Sequence, residues 1–215
     1  GTGTRSALDI AVAFDSVGGE HNALTAKEHT CYYAKVRDRD LEMAVRVLAD
    51  MFASSRVDPA DFENERGVIL EELAMAEDDP GDVAGERFFE AVFGAHPLGR
   101  PIGGSPESIG AVTRDAVWRH YRENYEPRDL VITVAGAVEH DRLVEVATDA
   151  LAAAGWDLGA VARPVERRVP SGGLIDRGSP LVIVDRPLEQ VNLYLGGAGL
   201  AAADERRPVL TVLNS

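Results

Sequence analysis

The sequence predicts an α+β fold, an antiparallel sheet with helices packed on it. The order of elements is the first reason: helix, hairpin and further helices, then a strand and another helix, without the regular strand-to-helix alternation of a doubly wound parallel sheet. A hairpin signal is the second. Glu20 to Ala26 and His29 to Val36 flank the polar turn Ala26-Lys27-Glu28, and the second run alternates Thr30, Tyr32, Ala34 and Val36 against Cys31, Tyr33 and Lys35. The third is that 215 residues with 45% hydrophobic content can bury a core, in one large domain or in one domain plus part of another.

Taken in order, Thr4 and Ser6 can cap a helix with Ile10, Phe14 and Val17 along one stripe, and Gly18-Gly19 ends it. After the hairpin, Asp38 and Asp40 cap a second helix marked by Leu41, Ala44, Val45, Leu48 and Phe52. Asp58-Pro59 opens a third, closed by Asp78-Asp79-Pro80, with Phe62, Ile69, Leu73 and Ala76 at helical intervals. Val83 to Phe93 reads as a short buried helix ended by Gly94, and His96 to Gly104 as a loop punctuated by Pro and Gly. Thr113 caps a helix through Val117, Trp118 and Tyr121; Leu130 to Ala135 is a β-branched strand; Asp141 to Ala154 is an amphipathic helix. Trp118, Tyr121, Phe88 and Phe89 are expected in the core.

Residues 160–180, rich in Pro, Gly and Arg, read as a linker between a first domain at 1–159 and the opening of a second at 181–215. The second part holds predicted strands at Leu181 to Asp185 and Gln190 to Gly196 and a helix from about Asp204 that is still under way at Ser215. With Gly1 in place of a starting methionine, these features lead to the expectation of a fragment or a processed product.

The net charge of −14 would repel phosphate backbones and anionic lipid, so nucleic acid and membrane are not expected partners. Cys31 is the only cysteine, which excludes an internal disulfide and makes a reducing cytoplasm the expected compartment. No apolar run reaches membrane-spanning length.

The chemistry-bearing candidates centre on the third helix. Glu65 and Glu72 stand seven residues apart, nearly two turns, so both carboxylates leave one side about 10.5 Å apart along the axis. Alone, such a helix reads as a solvated face. His29 and Cys31, two apart in a strand, permit a Cys-His nucleophile pair on geometry, against the ordinary reading of Cys31 as a small buried hydrophobe. His96, His120 and His140 have no ligand spacing to another His and read as surface or capping residues; Arg163, Arg167 and Arg168 read as solvated charge.

Several stretches, in order, resemble the pitrilysin or insulinase family of zinc metallopeptidases, which includes mitochondrial processing peptidase. They are Gly1-Thr2 with Arg5 and Ser6, the run from Gly18 to Thr25, Glu28 to Val36, Glu65-Arg66-Gly67-Val68-Ile69-Leu70-Glu71-Glu72, His96-Pro97-Leu98-Gly99, and Asn124-Tyr125-Glu126-Pro127. The resemblance implies a peptidase that holds Zn²⁺ through an inverted His-x-x-Glu-His motif and a distal Glu, with the motif's own Glu activating water. By motif position Glu72 is similar to the distal ligand, and Glu65 to the carboxylate that supports the site. Peptides in such a family add as a strand to a sheet edge; the resemblance places that edge at Gly19 to Thr25, with Asn22 and Ala23 as contact positions.

No His-x-x-Glu-His occurs in the sequence. The resemblance would put it immediately before Gly1, so the expectation is a zinc endopeptidase of extended or unfolded peptides when complete, and an inactive chain without zinc on its own. The family's two-lobed members imply a remaining lobe or a partner subunit. The alternative is a non-catalytic peptide-binding or assembly subunit, because family members exist that have lost the motif.

Overall fold

The computed structural model describes residues 1–159, 178–197, 199–201 and 204–215, so the predicted linker falls almost wholly outside the described residues. The elements are α1 (Ala7–Asp15), β1 (Glu20–Thr25), β2 (Thr30–Lys35), α2 (Leu41–Ala53), α3 (Pro59–Asp78), α4 (Pro80–Phe93), α5 (Pro106–Ala111), α6 (Arg114–Asn124), α7 (His140–Ala153) and α8 (Arg207–Leu213). They divide into two units, Gly1–Gly67 with Gly110–Val165, and Val68–Ile109 with Glu166–Ser215.

In the first unit α1 begins with a capping box: the Ser6 hydroxyl accepts from the Asp9 amide at 3.1 Å and the Asp9 carboxylate accepts from the Ser6 amide at 2.8 Å. It ends before Gly18, whose φ of +67° suits a residue without a Cβ. Val17 therefore lies past the helix. The chain turns into the antiparallel pair β1 and β2, with Asn22 opposite Tyr33 and Ala23 opposite Tyr32. Ile10 and Phe14 from α1 meet Ala44 and Val47 from α2, with Ala34 and Val36 from the second strand's side packed against them. Phe14 and Val47 are sealed from solvent, and truncating a phenylalanine so placed costs about 3–5 kcal/mol. A second cluster joins Ala49 of α2 to Ala150 and Leu151 of α7, where Trp156 meets Phe52 edge-on at 5.2 Å.

The second unit is built around α4. Asp79 caps it, accepting from the amides of Gly81 at 2.7 Å and Asp82 at 3.1 Å with Pro80 in the first turn, so the helix starts three residues earlier than the apolar pattern predicted. Gly94 closes it at φ +54°, as expected. Phe88 lies 5.9 Å from Tyr194, and Arg186 pairs with Glu77 at the end of α3.

Several expectations are corrected. Leu130 to Ala135, Leu181 to Asp185 and Gln190 to Gly196 have strand-like sequences, yet among the described residues only β1 and β2 form a sheet. A ladder needs a second backbone in register, and these segments pair with none among the described residues; Val131 is 80% and Val191 93% exposed. Phe89, expected in the core, is 42% exposed, while Phe88, Trp118 and Tyr121 are half-buried. Asp40 flanks α2 without capping it, because its carboxylate takes the Arg37 guanidinium at 2.9 Å instead. The helix predicted from Asp204 begins at Arg207.

A polar hub ties the first residues of the chain to α2. Asp50, 5% exposed, accepts at one oxygen from Thr2 at 2.6 Å, Thr4 at 2.8 Å and Arg5 at 2.6 Å, and at the other from Ser54. Burial works against its charge, but the hydrogen bonds from Ser54, Thr2, Thr4 and Arg5 outweigh it and hold the carboxyl below its ordinary pKa. A carboxyl depressed in the folded state stabilises fully above its unfolded pKa of about 3.9, and that contribution is lost as pH falls through the folded value. Replacing Asp50 with Asn leaves buried donors facing an amide. The expected result is a loss of about 3 kcal/mol at neutral pH and a flatter dependence of urea stability on pH below about 4. Identical acid profiles for the two proteins would contradict this account of Asp50.

Candidate functional site

Twenty residues form α3 without interruption, and none of them is fully buried. Pro59 takes the first helical position as predicted, and the Phe62 amide bonds the Asp58 carbonyl at 2.9 Å. Phe62, Ile69, Leu73 and Ala76 are half-buried, so the predicted stripe is the helix's inner face. Glu65 and Glu72 are exposed, and neither makes an ion pair or a side-chain hydrogen bond among the described residues. Glu71 and Asp78 share that state among the described residues, whereas Glu63 holds Arg66 at 3.0 Å and Glu77 holds Arg186. The boundary between the two units falls inside α3, between Gly67 and Val68, leaving Glu65 with the first unit and Glu72 with the second.

The hairpin carries the other candidates. The Ala26 amide donates to the His29 carbonyl at 2.8 Å, which makes that pair hydrogen-bonded. By the alternation of an antiparallel ladder, Leu24 and Asn22 then bond inward to β2, while His21, Ala23 and Thr25 turn their amides and carbonyls outward. β1 has no second neighbour among the described residues, so this is an open edge. The Asn22 side-chain oxygen accepts from the Ala23 amide at 2.8 Å. The outward donor at the expected peptide contact is thus capped by its own neighbour, a local bond that protects an edge. Sequence reasoning singled out Asn22 and Ala23; the outward main chain of His21 and Thr25 is visible only once the register is known. The His21 ring also stacks on Phe14 at 4.3 Å, which holds β1 to the core.

The remaining histidines behave as structure. Nδ1 of His96 accepts from the Leu98 amide at 3.2 Å and caps the short turn Pro97–Gly99. His120 lies 3.1 Å from the Asn124 side chain, and His140 is exposed at the start of α7. Cys31 is half-buried in β2 opposite Leu24, and no hydrogen bond joins it to His29 among the described residues.

A catalytic zinc takes three protein ligands and keeps a fourth position for water. Among the described residues no three His, Cys, Asp or Glu side chains gather closely enough to hold a metal ion. Glu72 has the chemistry of a ligand, an unpartnered exposed carboxylate on a regular helix. The described residues do not supply a closed site around it.

The first 105 residues match the family model described as Insulinase (Peptidase family M16), and residues 111–215 match the one described as Peptidase M16 inactive domain. Along its whole length the chain is 43% identical to an uncharacterized zinc protease of Streptomyces coelicolor and 36% identical to the uncharacterized zinc protease YmxG of Bacillus subtilis, covering 47% and 50% of those proteins. It thus spans about half the length of the curated relatives it matches. Its fold resembles a protease from Helicobacter pylori, with a TM-score of 0.68 and 20% identity over 79% of this chain and 39% of that one. It also resembles pitrilysin, with a TM-score of 0.58 and 26% identity over 75% of this chain and 17% of that one. With helices around a small antiparallel sheet and matches that run from its first residue to its last, the chain belongs to the insulinase family of peptidases, family M16.

Proposed function

We propose that the protein carrying this chain is a zinc-dependent endopeptidase of extended or unfolded peptides, in which Glu72 is one metal ligand and Glu65 supports it. The 43% and 36% identity, along the whole of this chain, to relatives named zinc proteases carries the reading. Glu65 and Glu72 are available for such roles, since neither is committed to a guanidinium, a state they share with Glu71 and Asp78; their positions in the resembling motif single them out. Zinc, when held, would polarise a peptide carbonyl and activate water. Two further ligands and a general base have to come from outside the described residues, so this chain alone is inactive. The division into a domain at 1–159, a linker at 160–180 and the opening of a second domain belongs to the same proposal, as do a cytoplasmic location and a partner lobe.

This chain's own part in substrate handling is the outward edge of β1. An extended peptide pairing with His21, Ala23 and Thr25 gains main-chain hydrogen bonds that are indifferent to side-chain identity, whereas a folded protein has no free strand to offer. The match of residues 111–215 to a domain described as inactive favours a second reading, a non-catalytic peptide-binding or assembly subunit.

Two measurements on the full-length protein decide between these. It is expected to retain stoichiometric zinc through dialysis and to hydrolyse an unfolded peptide, and Glu72→Gln is expected to lose the metal; retention of zinc by Glu72→Gln would remove Glu72 from the site. At the edge, Asn22→Ala uncaps the Ala23 amide, so exchange of that amide should speed up without peptide and slow down on adding one. An Ala23 amide that is indifferent to peptide would place binding elsewhere.

A further inference from the structure

α3 is clamped at its start by two arginines that mirror each other. Arg66, on α3, donates to the main-chain carbonyls of Gly110 at 3.2 Å and Val112 at 2.8 Å, in the connection that leads into α6. Arg114, on α6, donates to the carbonyls of Val57 at 2.8 Å and Arg56 at 3.2 Å, in the connection that leads into α3. Each helix therefore grips the segment ahead of the other. Each guanidinium also lies over an aromatic ring one turn away on its own helix, Arg66 at 4.7 Å from Phe62 and Arg114 at 5.0 Å from Trp118. A planar fork that rests over a ring is pre-organised to bond two acceptors at once, which a lysine cannot do.

The acceptors explain why a fork is needed. Gly110 lies in the last turn of the six-residue helix α5, where carbonyls lack helical partners. Val57 sits at φ +47°, a left-handed conformation that is a real outlier for a β-branched residue and persists only where its surroundings impose it. Tyr121 of α6 adds to the same grip: its hydroxyl donates to the Phe52 carbonyl at 2.9 Å and accepts from the Ser55 amide at 3.2 Å. The whole connection from α2 to α3 is thereby held from α6.

We propose that Arg66 and Arg114 are positioning residues, a reciprocal pair of guanidinium clasps that fixes the rotation and axial placement of the part of α3 within the first unit, Pro59 to Gly67, and so the direction in which Glu65 projects. Neither arginine touches metal or substrate in this account. The functional part rests on the reading of Glu65 as the carboxylate that supports a zinc site; the structural part does not.

The test uses the full-length protein with Arg66→Lys, Arg114→Lys and the double variant, each keeping its charge while losing the fork. Val47→Ala serves as a control that weakens the core without touching the clasp. Two quantities are read well below the melting temperature: hydrogen exchange of the amides in the first half of α3, and zinc affinity by chelator competition. Each lysine variant should speed exchange in α3 selectively and weaken zinc by about tenfold or more, the scale at which small misplacements of a site are felt. Val47→Ala should lower the melting temperature and leave both readouts at the wild-type level. Wild-type exchange in α3 in the lysine variants, or an equal loss of zinc affinity in Val47→Ala, overturns the proposal. Glu65→Gln separates the two claims: if it keeps wild-type zinc affinity, the supporting reading fails, and exchange in α3 still decides the clasp.

Discussion

A twenty-residue helix that fully buries none of its side chains cannot be placed by hydrophobic packing alone, and α3 is such a helix. Its half-buried stripe gives it an inner face but little to fix its rotation. Directional bonds do that work. Hydrogen bonds from a charged donor contribute about 1.5–3 kcal/mol each and are sensitive to angle, so four of them from two guanidiniums constrain a helix that apolar contact leaves free to slide.

The rest of the first unit gives those bonds something rigid to pull against. α1 and α2 share a sealed core around Phe14 and Val47, and α7 closes on α2 through Ala150 and Leu151. The Asp50 hub secures the segment ahead of α1 to the same helix. It is the most concentrated polar arrangement among the described residues of this unit. Because it is satisfied on every side, it holds a charge that burial alone would neutralise. The open edge of β1 is mounted on this framework through His21 and Phe14.

The sequence was most legible where structure is local. Ser6, Thr113, Pro59, Gly18 and Gly94 announce helix ends through bonds or conformations that depend on a few neighbouring residues, and the alternation of Thr30 to Val36 announces a strand beside its own turn. It was misleading where structure is non-local. Leu130 to Ala135 and Gln190 to Gly196 have the side chains of strands, but pairing depends on another segment of backbone, which no local pattern records. Glu72 reads as a ligand only through family resemblance; its exposure without a partner is shared by Glu71 and Asp78 on the same helix. Arg66, Arg114 and Asp50 carried no signal. Their partners are main-chain carbonyls, or hydroxyls some 50 residues away, and a carbonyl belongs to every residue alike.

The account stands on the claim that the α3 carboxylate at Glu72 reaches a zinc ion whose other ligands lie outside the described residues. A crystal structure of the zinc-loaded full-length protein, with the metal located by anomalous scattering at its absorption edge, tests this directly. The account predicts a Glu72 oxygen about 2.0–2.2 Å from the ion. A zinc site with three protein ligands and no Glu72 among them would contradict it.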